Sequence, residues 1–473
     1  MIEEPTTTRT ILPDGPLPAR VIADQPKPEW TVEDRMAAFD VPAVSAAVVD
    51  GMEVVWAKAW GVLEKGQSRP ATPTSLFQSA SISKSVAAIG ALRLVRDCLL
   101  DLDAEITTVL RDWNLPRDEY QGEVTLRRLL SHSAGTGVPG FEGYPGDGPF
   151  PTLIQMLNGT PPANSPAVRL ISPPGEQFSY SGGGYQIVQK MMEDVTGQPF
   201  AQIMRQRVFE PLGMSASTYA PLDPTLYDRA ASGHVNGEPI PGKGPVHMES
   251  AAGGLWTTPS ELLQLTLEVM RAYRGETGPV LTPELAHAML TPAFWNYGLG
   301  YRVLGEGSTF RFSHGGATRG WHGQVHAYPA RGQSVAILTN DADGYIVWPE
   351  VERGIARALG WPAWDPEVIE PTTVSEADLA PYTGSYGAGD FTFEVRAAPL
   401  GDGEKTPLGI ALHLNDNIWH AAPTELDAFE LIEFEGQVLF EREPDGIISR
   451  FDVWFDQPDW SPYRRWTFDK LEA

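Results

Sequence analysis

The 473-residue chain contains a single cysteine, Cys98, so no intrachain disulfide can form. No Cys–His context surrounds Cys98, and it reads as a small core residue rather than a nucleophile. No run of about 18 apolar residues occurs, so no transmembrane helix is expected. The opening Met1-Ile2-Glu3-Glu4-Pro5 lacks the basic and apolar regions of a signal peptide. The protein is expected to be soluble, and either cytoplasmic or exported with its leader trimmed. The 9 histidines are scattered without paired metal-ligand spacing, so neither a metal nor another cofactor is expected. Basic residues are scarce, with 35 Lys+Arg against 61 Asp+Glu and a net charge of −26. Such a surface argues against nucleic acid and anionic membranes as partners. A small-molecule or peptide substrate remains, with a homo-oligomer as the other partner considered.

Hydrophobic residues make up 42% of the chain, enough for a substantial core, and the length fits two to three domains. The stretch Ser81-Ile82-Ser83-Lys84 opens a run to Arg96 whose apolar residues recur at helical spacing. Ser81 is therefore expected at the first turn of a buried helix, with Lys84 on the same face. A serine hydroxyl needs a neighbouring base to become a nucleophile. A lysine sunk in a helix start, beside the positive end of the dipole, has reason to lose its proton. Composition alone produces Ser-x-x-Lys often enough that two later segments must decide. One is Phe178-Ser-Tyr-Ser-Gly-Gly-Gly-Tyr185, which places Tyr180 in a loop ahead of a helix ending at Gly197. The other is Phe312-Ser-His-Gly-Gly-Ala317, in a β-like run where the glycines permit close backbone approach.

Residues 1–29 are Pro- and Thr-rich and read as a surface arm. Val44–Val49 and Glu53–Gly61 read as strands joined through Asp50-Gly51. Residues 136–170 form an irregular insertion of the kind that walls or covers a pocket. Thr258-Pro-Ser-Glu261 caps a helix running to about Tyr273. Strand-like runs follow at 309–313, 322–328 and 333–339, and Glu350–Leu359 reads as a helix. The fold class expected is α/β (α+β): an antiparallel sheet with flanking helices and a helical lobe over 30–360. Pro362, Pro366 and Pro371 mark 361–375 as a linker. Residues 371–473 hold 20 acidic against 7 basic residues. Within that tail, 376–473 changes to six short alternating runs that predict a small β-barrel.

Together these segments resemble the three motifs of the serine β-lactamase and penicillin-binding-protein superfamily, in its class C β-lactamase-like branch. The family pattern of Ser-x-x-Lys, Tyr-x-Asn and Lys-Thr-Gly or His-x-Gly reads here as Ser81/Lys84, Tyr180-Ser-Gly182 and His314-Gly-Gly316. Leu129–Gly135, Phe209–Met214, Gly253–Thr258 and Val335–Asn340 also look like this family, and the tail resembles its lipocalin-like C-terminal domain. The resemblance implies Ser81 as nucleophile, Lys84 or Tyr180 as base, and His314 orienting Tyr180 or meeting a substrate carboxylate. It also implies an oxyanion hole from the backbone N–H groups of Ser81 and Ala317. Gly182, Gly315 and Gly316 would border the substrate. His132 and His322 are read as packing. Gly182 departs from the family's Asn, which removes one amide-directed hydrogen bond and suggests a roomier site.

The activity expected is serine hydrolysis of amide or peptide bonds in small substrates, including peptides with D-residues. A carboxylesterase, favoured by Gly182, and a penicillin-binding-protein-type thioesterase or peptide cyclase are the alternatives. A non-catalytic penicillin-binding module is the reading outside enzymes. The loop Gly401-Asp402-Gly403-Glu404 is a candidate for favouring free-amine substrates if it faces the Ser81 pocket.

Overall fold

The computed structural model describes residues 11–12, 15–389, 391–401, 406–414, 417–455 and 464–471. Asp402 and Glu404 lie outside the described residues. The chain divides into two compact units, Asp40–Trp348 in one, Ile11–Phe39 with Pro349–Ala473 in the other.

The first unit begins with the expected hairpin. Strands β1 (Ala43–Asp50) and β2 (Glu53–Gly61) pair antiparallel. Gly51 (φ 60°) and Met52 (φ 69°) form the left-handed two-residue turn that matches strand twist. Strands β3 (Arg302–Leu304), β4 (Arg311–Thr318), β5 (Trp321–Tyr328) and β6 (Gln333–Thr339) complete a six-stranded sheet in the order β2-β1-β6-β5-β4-β3. Strand β1 lies between β2 and β6 and is buried almost throughout, which explains its continuous run of small and β-branched residues. Helices α1 (Ile82–Arg96) and α2 (Gly182–Thr196) belong to the helical part of the unit. Helix α1 is buried along most of its length, so its apolar residues encircle it rather than forming one stripe. Beyond α2 come the short α3 (Ser250–Gly253) and α4 (Pro259–Tyr273), capped by Thr258 as its sequence predicts. Thr266 of α4 accepts a 2.9 Å hydrogen bond from Ser334 of β6.

One feature of the sheet positions the site. β3 pairs with β4 only from Arg311 to Ser313. Among the described residues, His314–Thr318 therefore run on without a strand on that side, while their other side stays paired to β5.

Cys98 is exposed, contrary to the core placement expected. It lies just past the end of α1 with φ 56°, so the chain has already left the buried helical path. The helix expected at Glu350–Leu359 spans Gly344–Ala358 and carries Pro349 inside it. The helix therefore begins six residues earlier than expected, with the proline in its interior.

The second unit closes on itself in two ways. Residues Arg20–Ile22 of the amino-terminal stretch pair in parallel with Glu367–Ile369. Ile11, Leu17, Ala19 and Ile22 are buried, so this stretch is more than a surface arm. Arg20 donates to the carbonyls of Leu431, Phe434 and Gly436 at 3.1, 2.7 and 3.0 Å. Arg35 forms a bidentate pair with buried Glu350, both bonds 2.7 Å. The tail is a closed barrel of eight strands, each beside its sequence neighbour. These are β7 (Gly384–Ala388), β8 (Phe391–Pro399), β9 (Leu408–Leu414), β10 (Asn417–Glu425), β11 (Ala428–Leu431), β12 (Gly436–Arg442), β13 (Ile448–Phe455) and β14 (Arg464–Lys470). Closure gives each strand a neighbour on both sides. Alternate residues fill the interior: Tyr386, Phe393, Trp419, Phe451 and Phe468 pack ring to ring, with centroids 4.9–5.8 Å apart where they meet. Strands β7 and β10 were not among the runs expected. β7 is glycine-rich, and β10 contains Pro423 beside a register shift, features that hide a strand from period-two reading.

Candidate active site

Ser81 stands at the N-cap of α1. The residue before it, Ala80, adopts φ 46°, a left-handed conformation that costs a side-chain-bearing residue on the order of 1–3 kcal/mol. The turn is held by Ser79 N–H donating to Leu255 O at 3.0 Å and Ile82 N–H donating to Ser79 O at 3.1 Å. Ser83, one residue inside the helix, accepts from Leu255 N–H at 3.1 Å. The bend is thus fixed from both sides.

Lys84 lies one turn on. Its side chain is almost fully buried, its Nζ is 3.0 Å from Ser81 Oγ, and it donates to Ala252 O at 2.8 Å. Burial drops its pKa from 10.5 to about 7, because no carboxylate offsets the loss of water around the ammonium. Tyr180 precedes α2, whose N-cap Ser181 accepts from Gly184 N–H. The Tyr180 ring faces Lys84, with Nζ 5.0 Å from its centroid. The residue is half-buried but its hydroxyl is wholly buried and interacts with Ser81. Burial pushes the phenol pKa well above its ordinary value, and the Ser81 hydrogen bond and the Arg302 charge offset only part of this. Desolvation dominates.

His314 is buried on β4, 6.5 Å from Tyr180 between ring centroids, with Nδ1 2.6 Å from Gly315 O. Gly315 is buried opposite Gln324. Gly316 is where β4 touches the bend before Ser81. A Cβ at 316 would overlap Ser79 O and sit 3.3 Å from Ala80 Cβ. The glycine is required for this close backbone contact. One residue later, Ala317 is exposed on the same free edge, paired on its other side with His322.

The structure therefore brings Ser81, Lys84, Tyr180 and His314 into one cluster and sets Gly316 against its base. A family model for beta-lactamases matches residues 30–360. The chain belongs to the beta-lactamase family. Penicillin-binding protein 4 of Amycolatopsis lactamdurans is 25% identical, covering 73% of this chain and 93% of that protein. A D-aminopeptidase of Gluconobacter oxydans is 26% identical over 75% of this chain and 66% of its own length. Among solved structures, the octameric penicillin-binding protein homologue from Pyrococcus abyssi superposes with a TM-score of 0.62 at 21% identity, over 93% of this chain and 98% of that one. That likeness shows the fold, and its 93% coverage includes much of the tail.

In this beta-lactamase-family chain the third position of the tyrosine motif, Gly182, is not roomier. Phe141 fills the space: a Cβ at 182 would lie 2.8 Å from its ring and 3.3 Å from Pro139 O. Gly182 and Gly183 donate to Pro139 O and Val138 O at 3.2 and 3.0 Å. The irregular insertion therefore packs onto the start of α2, as a wall.

Two neighbours of Tyr180 escaped the sequence reading. His132, taken as packing, lies 4.2 Å from the Tyr180 ring centroid and accepts from Ser181 N–H at Nδ1, 3.0 Å away. Burial, then the charges of Lys84 and His314, hold its pKa well below the ordinary value, so it supports Tyr180 as a neutral ring. Its only sequence signal was its place in Leu129–Gly135. Arg302, buried on β3, supplies the cationic influence on Tyr180, and no motif marked it.

Among the described residues, no helix is long and apolar enough to cross a membrane.

Proposed function

We propose that this chain is a serine hydrolase that cleaves amide or peptide bonds of small substrates, D-residue peptides among them, through an acyl-enzyme. The observation that carries the reading is the buried Lys84 amine, 3.0 Å from Ser81 Oγ with a pKa near 7. A neutral amine there has a lone pair for the serine proton. Lys84 is thus the base. Ser81 Oγ attacks the substrate carbonyl carbon, and its proton passes to Lys84. The N–H groups of Ser81 and Ala317 stabilise the resulting oxyanion. Tyr180, whose raised pKa keeps it protonated, gives its proton to the leaving nitrogen and recovers one from Lys84. The C–N bond breaks and the amine departs. Water then attacks the ester by the reverse proton path, releasing acid and free Ser81. His132 packs against the Tyr180 ring, with centroids 4.2 Å apart, and His314 stands 6.5 Å from it. The D-aminopeptidase relative supports the substrate class.

The second reading is a carboxylesterase. Gly182 offers no side-chain amide to a substrate peptide bond, and Phe141 presents an apolar wall in its place. Hydrolysis of D- and L-aminoacyl p-nitroanilides set against p-nitrophenyl esters separates the two readings. Faster turnover of D-aminoacyl anilides supports the first; ester turnover alone supports the second. Fluorophosphonate treatment followed by peptide mass spectrometry should place the adduct on Ser81. No adduct, together with no turnover, would leave only a binding module.

A further inference from the structure

His132 bonds to the chain on both sides of Tyr180. Its carbonyl oxygen accepts from Ser179 N–H at 2.7 Å, and its ring Nδ1 accepts from Ser181 N–H at 3.0 Å. The same ring packs on the phenol between them, with centroids 4.2 Å apart. One residue thus holds three consecutive positions, and Tyr180 is the middle one. A backbone N–H can only donate, so Nδ1 is the acceptor and the proton of the neutral ring sits on Nε2. Burial, then the charges of Lys84 and His314, keep the ring from taking a second proton.

His132 is itself held. It is fully buried with φ 56°, a left-handed conformation that persists only where the surroundings over-determine it. It directly follows Ser131, the C-cap of a short helix over Leu126–Leu130. The rings of Tyr297, Tyr185 and Phe178 surround it, with centroids 4.9, 5.3 and 5.8 Å away. Tyr185 lies on α2, and its hydroxyl donates to Leu130 O at 3.0 Å. That bond ties the segment before His132 to the helix that follows Tyr180. Packing alone would be met by phenylalanine or leucine. A polar ring in a left-handed turn, with Nε2 buried and without a partner among the described residues, is a costly way to fill space.

We propose that His132 is a positioning residue that holds the Tyr180 phenol where it can hand its proton to the leaving group. The proposal rests on the acyl-enzyme reading above. To keep its hydroxyl beside Ser81, Tyr180 needs both its backbone and its ring plane fixed. His132 fixes the backbone through Ser179 and Ser181, and the ring by packing on it. Its effect on rate then depends on how much the leaving group needs a proton. An anilide or alkoxide does not depart without one, whereas p-nitrophenolate, a weak base, does. A residue that served the fold alone would slow all substrates alike.

The test measures kcat/KM, which reports the steps up to acylation, for D-alanyl p-nitroanilide, ethyl butyrate and p-nitrophenyl butyrate. The full chain is compared with Tyr180→Phe, His132→Ala and His132→Asn. The ratio of anilide or ethyl ester over p-nitrophenyl ester should fall about tenfold or more in His132→Ala, the scale on which a misplaced reacting group costs rate. The fall should match Tyr180→Phe in direction and not exceed it. His132→Asn offers an amide oxygen to Ser181 N–H and tolerates the left-handed turn, so it should recover part of the loss. If Tyr180→Phe shows the selective loss while His132→Ala slows all three substrates equally, or leaves the ratio unchanged, the proposal is overturned and His132 is a packing residue. Equal slowing in Tyr180→Phe, or a parent that turns over none of the three, sinks the acyl-enzyme reading and the proposal with it. Should His132→Ala unfold at the assay temperature, His132→Phe, which keeps a ring and lacks the acceptor, replaces it with the same expected direction.

Discussion

Replacing Lys84 with methionine removes the one buried amine at the centre of the cluster while keeping similar volume. The structure fixes the sign and size of the effect on stability. In the unfolded chain this lysine titrates near 10.5, and in the folded chain near 7. At about 1.4 kcal/mol per tenfold, that gap is worth roughly 5 kcal/mol. The folded pKa is the lower one, so the unfolded chain binds the extra proton between the two values. The penalty on the folded state is therefore fully present below pH 7. It fades as pH rises from 7 and is gone above about 10.5. Lys84→Met escapes it. Against this, the variant leaves Ala252 O without its 2.8 Å donor, a cost of about 1–3 kcal/mol. Lys84→Met should then be more stable than the parent at pH 6 by roughly 2–4 kcal/mol, with the advantage shrinking at pH 8 and reversing near pH 10. Urea unfolding at the three pH values measures it, and taking the difference between variants cancels the other titrating groups. A stability difference that is flat with pH, or that grows in favour of the variant as pH rises, would refute the buried neutral lysine. The same variant should lose at least about 10²-fold in kcat, and the parent's kcat/KM should rise with pH through an apparent pKa near 7.

Other outcomes follow from the same geometry. Lys84→Ala and Tyr180→Phe should each lower kcat by about 10² or more, and the double variant should be little worse than the poorer single one; multiplying losses would show two independent groups. Gly316→Ala should destabilise by about 1–3 kcal/mol and depress kcat, because the new methyl meets Ser79 O at the bend before Ser81; wild-type melting and turnover would mean the strand is free to move away. Gly182→Asn, which restores the family residue, should be destabilised by its clash with Phe141, and adding Phe141→Ala should recover stability in a thermal melt. Arg35→Ala leaves Glu350 buried and unpaired, and should cost about 3–5 kcal/mol in unfolding of the unit that contains both.

Local pattern was enough for much of this protein. The hairpin at Asp50-Gly51, the cap at Thr258, the helix that opens after Ser81 and most of the barrel strands depend on residues within a few positions of each other. Period, turn chemistry and capping report such features directly. Ser81 and Lys84 share a helix face for the same reason. Tyr180 and His314 were legible only as motif positions, since nothing local to either says what it faces. What only the tertiary structure decided depends on packing between distant segments. Phe141 occupies the space beside Gly182, so a glycine that reads as room is a filled wall. His132 packs against Tyr180 across 48 positions of chain. The direction of the Tyr180 shift was set the same way. Sequence can list the charges that would lower a pKa, but desolvation is a property of everything that shuts out water, and here it outweighs them.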